Sequence, residues 1–333
     1  MAQDIHFSQF YMSPLNLNPA LTGVMNCNSR LVANYRNQWA SVLNSNAYNT
    51  YSVSYDTKIP VGRSDYFGIG GSFWSDVAGE SRFGTIQARV SASYAKKMGG
   101  YRKSAHYLVF GADMAFTQRR IREGDLRWGT QHDGNGGFDP TAETDPILFD
   151  PNFRANFSFA DVAAGLLWFS VLDEFNNWYI GAAYHHLNGA NVSFTGDDDV
   201  NLYAKYTIHA GAEFQLVSKM SILPGLVMFF QGEQREYNIG TSLRFNLSES
   251  RLSSQSFQAG LWYRIGRQVT SNIHSDAVII STRFEYDNYG IGFSYDINIS
   301  KLSDASSANG AFEFSLNYNI CGPQRRNVYC PRF

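Results

Sequence analysis

A run of alternating oxygen-bearing residues offers the most recognisable metal chemistry in the sequence. In HDGNGGFDPTAETD (132–145), Asp133, Asn135, Gly137 and Asp139 stand at alternate positions, as in the opening of a calcium-binding loop. The twelfth position of such a loop carries a bidentate Glu, whereas this sequence has Thr144 there. The spacing makes Asp133, Asn135 and Asp139 a weak calcium candidate, with a solvated acidic loop as the alternative.

Other residues that could do chemistry lack the spacing that catalysis or metal binding needs. His185 and His186 are adjacent, so on a strand they would face opposite sides and could not share a metal ion. The sequence contains no H-E-x-x-H motif, no C-x-x-C pair and no nucleophile elbow. We therefore predict a protein without enzymatic activity and without a cofactor.

The elements that must position these residues are long strands. From residue 29 onward, apolar and polar residues alternate with a period of two, most clearly in 237–245, 291–299 and 312–320. The sequence predicts about fourteen such segments, near 30–39, 48–58, 66–75, 83–96, 105–117, 156–170, 177–187, 202–217, 220–231, 235–246, 256–266, 276–287, 290–301 and 310–321. Many are about twice as long as the usual soluble strand of roughly five or six residues.

Strand length and face composition favour a membrane barrel over a soluble β-sandwich or propeller. About ten tilted residues cross the core of a bilayer, and an outer-membrane barrel turns its apolar face to lipid and its polar face to the lumen. No apolar run reaches the roughly 18 residues of a spanning helix. The expected fold is therefore all-β: a transmembrane antiparallel β-barrel of about 14 strands, located in the outer membrane.

Charged residues of both signs recur on the polar face of the predicted strands. They are Arg36, Asp56, Arg89, Asp113, Glu213, Glu236, Arg244, Arg264, Arg283, Glu285, Asp296 and Glu313. Opposite charges that share a lumen can pair when they are partly buried. A wide electrophoretic pore would more often segregate one sign. We therefore predict a filled, cross-linked lumen, with an open channel as the alternative.

The leader QDIHFSQFYMSPLNLNPALTG (3–23) interrupts this regularity with aromatics and two proline breaks. Asn18 suits a helix N-cap, Pro19 the first helical position and Gly23 the position after the last turn, so one short helical turn is expected. If the leader were free in water, its aromatic side chains would stay exposed to solvent, which is unfavourable. We predict that residues 1–28 form a plug in the lumen or across the periplasmic mouth; an arm packed on the rim is the alternative.

The remaining boundaries follow from the strand pattern. Residues 29–321 form the predicted barrel and residues 322–333 a periplasmic tail. The start has no basic n-region and no apolar h-region, which suggests that a signal peptide has been removed or is absent. Among the three cysteines, Cys27 and Cys321 flank the strands that closure makes neighbours, in an oxidising compartment. A Cys27–Cys321 disulfide, one that involves Cys330, and three free thiols all stay open.

The leader and several other segments carry a family resemblance. The further segments are YRNQW (35–39), YSVSYDTKI (51–59), SYDINISKL (294–302), GAFEFSLNYNI (310–320) and CPRF (330–333). Together they resemble the PorP/SprF family of outer-membrane proteins of the type IX secretion system in Bacteroidota. The resemblance implies a barrel that receives the C-terminal sorting domain of secreted proteins, especially gliding adhesins, and holds them at the cell surface.

The predicted partners are a secreted substrate with a C-terminal sorting domain, other secretion-system subunits at the periplasmic face, and outer-membrane lipid. The connection 118–155 would lie outside, where the aromatic residues Trp128, Phe138, Phe149 and Phe153 are candidate anchors; packing on the rim is their alternative role. A net charge of −2 argues against a nucleic-acid partner.

Two other functional classes stay open from the sequence. One is a FadL-like outer-membrane channel for small or hydrophobic solutes, with the leader as a hatch. The other is a lipid-modifying barrel enzyme, which would need a Ser/His pair near the outer rim, and no spacing in the sequence points to one.

Overall fold

The computed structural model describes residues 4–100, 104–132, 137, 139, 141, 150–173, 175–197, 200–249, 254–268, 274–300, 303–322 and 330–331. Within these residues, fourteen strands form one closed sheet. They are β1 (Ser29–Gln38), β2 (Tyr48–Val61), β3 (Asp65–Ala78), β4 (Phe83–Gly99), β5 (Ala105–Arg120), β6 (Asn156–Val171), β7 (Asn177–His185), β8 (Lys205–Val217), β9 (Met220–Gln231), β10 (Gln234–Glu249), β11 (Ser254–Gln268), β12 (His274–Tyr286), β13 (Tyr289–Asn298) and β14 (Asn309–Ile320).

The helices are short and are not part of the barrel wall. Three occur in the leader, at Phe10–Met12, Pro14–Leu17 and Pro19–Leu21, and the others lie in connections, at Ala40–Leu43, Asn44–Asn46, Glu123–Asp125, Gly129–Gln131 and Ser303–Ser306. Among the described residues, none of the helices has the length and apolar character that spanning a bilayer requires.

The barrel closes between its first and last strands. Each strand pairs antiparallel with its neighbours in sequence, and β1 pairs with both β2 and β14. Ser29 lies opposite Ile320 at one end of this seam, and Gln38 lies opposite Ala311 at the other. The prediction of a fourteen-stranded antiparallel barrel is therefore confirmed.

The strands turn apolar side chains outward and polar side chains inward. On β2, Tyr51 and Val53 expose 53% and 47% of their surface, whereas Ser52 and Ser54, which alternate with them, are buried. A soluble sandwich would bury the apolar face instead. Exposed aromatic and aliphatic side chains around the wall match a lipid-facing surface.

The barrel has two distinct ends, which we call the terminal rim and the loop rim. The terminal rim holds the start of β1 and the end of β14, and the loop rim holds the opposite strand ends. The two longest connections, between β5 and β6 and between β7 and β8, both emerge at the loop rim.

The leader runs through the lumen from the loop rim to the terminal rim. Near the loop rim, the backbone N–H of Asp4 donates a hydrogen bond to Gln231 Oε1 at 3.1 Å. Near the terminal rim, Lys58 Nζ donates to the Met25 carbonyl at 2.8 Å. Leader side chains Phe10, Leu17, Leu21 and Val24 join the buried apolar cluster inside the barrel. The leader therefore lies along the lumen, and its role as a plug stays a prediction.

All three cysteines lie at the terminal rim, and two of them form a disulfide. Cys27 and Cys321, which flank β1 and β14, form a disulfide across a sequence separation of 294 residues. Cys330 is a buried free thiol; its backbone N–H donates to Asn26 Oδ1 at 2.8 Å. Most of the predicted tail lies outside the described residues.

Candidate functional site in the lumen and at the loop rim

The turn around Asn18 fastens the middle of the leader to the barrel wall. Asn18 is completely buried, and its Oδ1 accepts a hydrogen bond from Ala20 N at 2.8 Å, which caps the helix Pro19–Leu21. Its Nδ2 donates to the carbonyls of Leu166 (3.1 Å) on β6 and Ala182 (3.2 Å) on β7. One side chain therefore both caps the turn and attaches it to two strands.

Gly23 ends this turn where the leader touches β2 and β3. Its φ of +74° lies in the left-handed region, and an added Cβ would lie 2.6 Å from Gly68 Cα. Its backbone N–H donates to Asp56 Oδ2 at 2.8 Å, and the same carboxylate pairs with Arg30 at 2.8 Å. Arg30 also donates to the Leu21 carbonyl at 3.3 Å, so this ion pair holds two points of the leader.

Glycines on the inner barrel wall make room for the leader. A Cβ at Gly68 would overlap the carbonyl of Thr22, one at Gly111 would overlap the Ala20 backbone, and one at Gly165 would overlap Asn18 Oδ1. These positions were not predicted from the sequence. The available signal was a glycine inside a strand, which marks a bulge or a close backbone approach.

We expect Gly165→Ala to destabilise the protein by about 1–3 kcal/mol, because the new methyl group overpacks the Asn18 contact. Urea unfolding in detergent micelles, followed by tryptophan fluorescence, measures the loss. Gly290→Ala is the matched control, since its Cβ would meet its nearest neighbours at an ordinary 3.7 Å. Equal stabilities of the two variants would contradict the close approach of leader and wall.

A balanced cluster of four charges surrounds Ser8 nearer the loop rim. Ser8 N donates to Glu313 at 2.6 Å, and Ser8 Oγ donates to Asp296 at 2.9 Å. Arg36 pairs with both carboxylates, and Arg264 pairs with Asp296 at 2.9 Å. All five residues are buried. Two cations and two anions, each from a different strand, therefore surround one leader residue.

The other predicted lumen charges also lie inside the barrel, in separate groups. The ion pairs are Arg89–Asp113 (3.6 Å), Arg244–Glu213 (2.7 Å) and Arg283–Glu285 (2.7 Å), and Arg244 also lies 4.0 Å from Glu285. Glu236 lies 3.8 Å from His6, which is neutral because burial lowers the pKa of its imidazole. Two further lumen charges were missed from the sequence: Arg30, which pairs with Asp56, and Asp276, which pairs with Arg264. Charges of both signs are mixed in the lumen instead of forming a stripe of one sign.

His186 joins the start of the leader to the wall. Its Nδ1 lies 2.9 Å from Asp161 and its Nε2 lies 2.6 Å from Asp4, which is also 3.7 Å from Lys205 Nζ. The expectation that His185 and His186 face opposite sides is wrong: β7 ends at His185, His186 adopts a φ of +63°, and both rings are buried. Burial alone would lower the pKa of His186, but the carboxylates of Asp4 and Asp161 raise it to about 9. The imidazolium therefore persists at neutral pH.

We expect the stabilisation from His186 to disappear in alkali. Its folded-state pKa of about 9 exceeds the roughly 6.5 of a free imidazole, so the contribution is complete below pH 6.5 and is lost as pH rises through 9. The test compares the free energies of unfolding of wild type and His186→Gln at several pH values. Their difference should shrink between about pH 7 and pH 10. A constant difference would contradict this assignment.

Two of the predicted anchors at the loop rim can be placed. Trp128 is half-buried, and its backbone N–H donates to Gln131 Oε1 at 3.0 Å. Phe153 is also half-buried, with its ring stacked 6.4 Å from that of Phe194. Phe138 and Phe149 lie outside the described residues.

The calcium candidate is only partly described. Asp139 Oδ1 accepts hydrogen bonds from Thr141 N at 2.8 Å and Thr141 Oγ1 at 2.6 Å, whereas Asp133 and Asn135 lie outside the described residues. Among the side chains the structure describes, no group of three or more His, Cys, Asp or Glu could hold a metal ion. The calcium site stays a prediction.

The fold and the position of the leader define a class: an outer-membrane β-barrel with its own N-terminal segment inside the lumen. The family model "Type IX secretion system membrane protein PorP/SprF" matches residues 1–318, and the chain belongs to this family. The resemblance noted in the sequence is therefore confirmed, as is the outer-membrane location. No curated protein matches the sequence.

Solved structures that resemble this chain are barrels of low sequence identity. CdiB from Escherichia coli has 7% identity and a TM-score of 0.51; the match covers 86% of this chain and 62% of CdiB. The toluene transporter TbuX of Ralstonia pickettii has 13% identity, coverage of 92% and 94%, and a TM-score of 0.47. The toluene transporter TodX of P. putida has 11% identity, coverage of 92% and 93%, and a TM-score of 0.47. The likeness to CdiB shows the fold alone.

The outer-membrane location orients the barrel. In such proteins the short turns lie on the periplasmic side and the longer loops lie outside. The loop lengths therefore predict that the terminal rim faces the periplasm and the loop rim faces the cell exterior.

Proposed function

We propose that this chain is a non-enzymatic docking barrel of the type IX secretion machinery. It anchors a secreted, adhesin-like protein at the cell surface through that protein's C-terminal sorting domain. The observation that carries the proposal is the occupied lumen: buried ion pairs fasten the leader at Ser8 and at Gly23. A barrel filled in this way favours contact at its rims over passage through its centre, and family membership supports a role in secretion.

The proposed contact surface for the secreted protein is the loop rim. Its half-buried aromatics Trp128 and Phe153 offer the large apolar side chains that anchor protein interfaces. Phe138 and Phe149 are proposed as further anchors from the sequence. Other subunits of the secretion machinery would contact the terminal rim and the tail.

Purification from the native host in mild detergent, with mass spectrometry of the retained proteins, tests the proposal. We expect a large secreted protein held through its C-terminal domain. The double variant Trp128→Ala/Phe153→Ala should retain much less of it. Trp178→Ala, on β7 next to the terminal rim, is the matched control and should retain it fully. A barrel that purifies alone, or with lipid only, would overturn docking.

A transport channel for small or hydrophobic solutes is the second candidate function. Two cavities favour it: one of about 450 Å³ at the terminal rim, beside Met25 and Tyr289, and one of about 510 Å³ at the loop rim, beside His6 and Trp39. The leader separates them and would act as a hatch. Solute-dependent conductance of the wild-type barrel in a planar bilayer would support this function, and a flat record would contradict it.

A further inference from the structure

A group of phenylalanines lies inside the barrel at the loop rim, where the wall is otherwise polar. Phe83 on β4 and Phe157 and Phe159 on β6 alternate with outward residues and point inward. The Phe194 ring, from the β7–β8 connection, lies 5.0 Å from Phe157 and 6.2 Å from Phe83. An inward position keeps these rings away from lipid, so the membrane does not account for them.

An apolar cavity of about 560 Å³ opens beside this group. Its apolar walls are Phe83, Val192, Phe194, Val200, Leu202 and Tyr203. The volume is within the roughly 300–1,000 Å³ of small-molecule sites. Val192 and Leu202 are themselves buried, so the β7–β8 connection forms a packed wall of the cavity.

Arg119 is the cationic residue at this cavity. Its guanidinium carbon lies 5.5 Å from the centre of the Phe159 ring and 5.9 Å from that of Phe83. Its Nε is buried without a hydrogen-bond partner. The negative charges of Asp4 and Asp161 act on Arg119, but neither carboxylate forms a described salt bridge with it. The lumen residues Arg36 and Arg264, by contrast, each pair with carboxylates.

We propose that this cavity binds a small anionic amphiphile, a monocarboxylate on a short alkyl chain or aryl ring. The apolar part fills the space against Phe194 and Leu202, and the carboxylate accepts hydrogen bonds from Arg119. A buried donor without a partner next to apolar walls fits this combination of charge and shape. Glu233, at the exposed edge of the cavity, would repel a second carboxylate, which favours a monoanion.

This cavity lies at the same rim as the proposed docking surface and shares Phe83 and Arg119 with the loop-rim cavity of about 510 Å³. Binding to it is nevertheless measured without the secreted protein and without solute flux, so its failure is distinguishable from failure of docking or transport. The test uses the full-length barrel in lipid nanodiscs and measures octanoate binding by calorimetry, with empty nanodiscs to subtract partitioning into lipid. Octanamide, which has the same chain and no charge, is the second probe. Wild type should bind octanoate more tightly than octanamide.

Arg119→Gln should weaken octanoate binding about tenfold, the effect of losing one charge-assisted hydrogen bond, and leave octanamide binding within about twofold. Arg120→Gln is the matched control, since Arg120 is the exposed neighbour on β5, and it should behave as wild type. Val192→Trp, which fills the cavity, should abolish binding of both probes. Octanoate binding that never exceeds partitioning, or equal losses of both probes in Arg119→Gln, would overturn the proposal.

Discussion

A barrel that lacks residues 4–24 is expected to conduct ions steadily, whereas the intact protein is expected to stay closed. The leader lies between the cavity at each rim and packs its apolar side chains into the lumen. Barrels of about eight strands are filled by their own side chains, whereas those of about 16–18 strands leave an aqueous channel. A fourteen-stranded barrel without the leader is close in strand number to the barrels with an aqueous channel, so its lumen should conduct ions.

Single-channel recording in planar bilayers measures the difference. Selectivity between anions and cations should be weak, because arginines and carboxylates pair with one another on the inner wall. Heat-modifiable migration on a gel confirms that the deletion variant has folded. Gly290→Ala, which keeps the leader, is the matched control and should stay closed. A folded deletion variant without current would show that the wall itself closes the lumen.

Asp56→Ala is expected to cost about 3–5 kcal/mol of stability, the usual effect of removing one partner from a buried ion pair. Asp56 is completely buried and accepts hydrogen bonds from Arg30 and from the Gly23 backbone. Its loss leaves a guanidinium and a backbone N–H without their acceptor. Asp56→Asn, which keeps one oxygen, should cost less.

Urea unfolding in micelles again provides the measurement. Asp125→Ala is the control, because Asp125 pairs with Arg122 at 3.2 Å on the surface, where 60% of the Arg122 side chain is exposed. Such exposed pairs contribute about 0–1 kcal/mol. If Asp56→Ala and Asp125→Ala unfold at the same urea concentration, the Asp56 contacts do not fasten the leader.

The strands were predictable because lipid outside and a polar lumen inside enforce a strict alternation along every strand. The ends of strands were less predictable, since alternation does not mark where pairing stops. β8 begins at Lys205 instead of near residue 202, and β7 ends at His185, where a left-handed residue follows. The left-handed backbone conformation of His186 also places its ring against Asp161 and Asp4, and no spacing in the sequence predicts these contacts.

The inward direction of the charged residues was predictable, but their partners were not. Arg36 and Asp296 are 260 residues apart in sequence and meet only because the barrel closes. The course of the leader through the lumen also depends on closure. The leader passes close to the wall at Gly68, Gly111 and Gly165. A glycine within a strand can also mark a bulge or a bend, so these three residues alone do not predict the contact with the leader.

The Cys27–Cys321 bond makes the barrel a covalent ring threaded by its own N-terminal segment, a lasso. An oxidised ring cannot open fully between β1 and β14, because those strands stay tied at the periplasmic end however many ladder hydrogen bonds break. Tension applied from the cell exterior is then carried by the ring and by the leader contacts inside it. The strand edges of β1 and β14 therefore cannot be exposed to other chains along their whole length while the bond is intact.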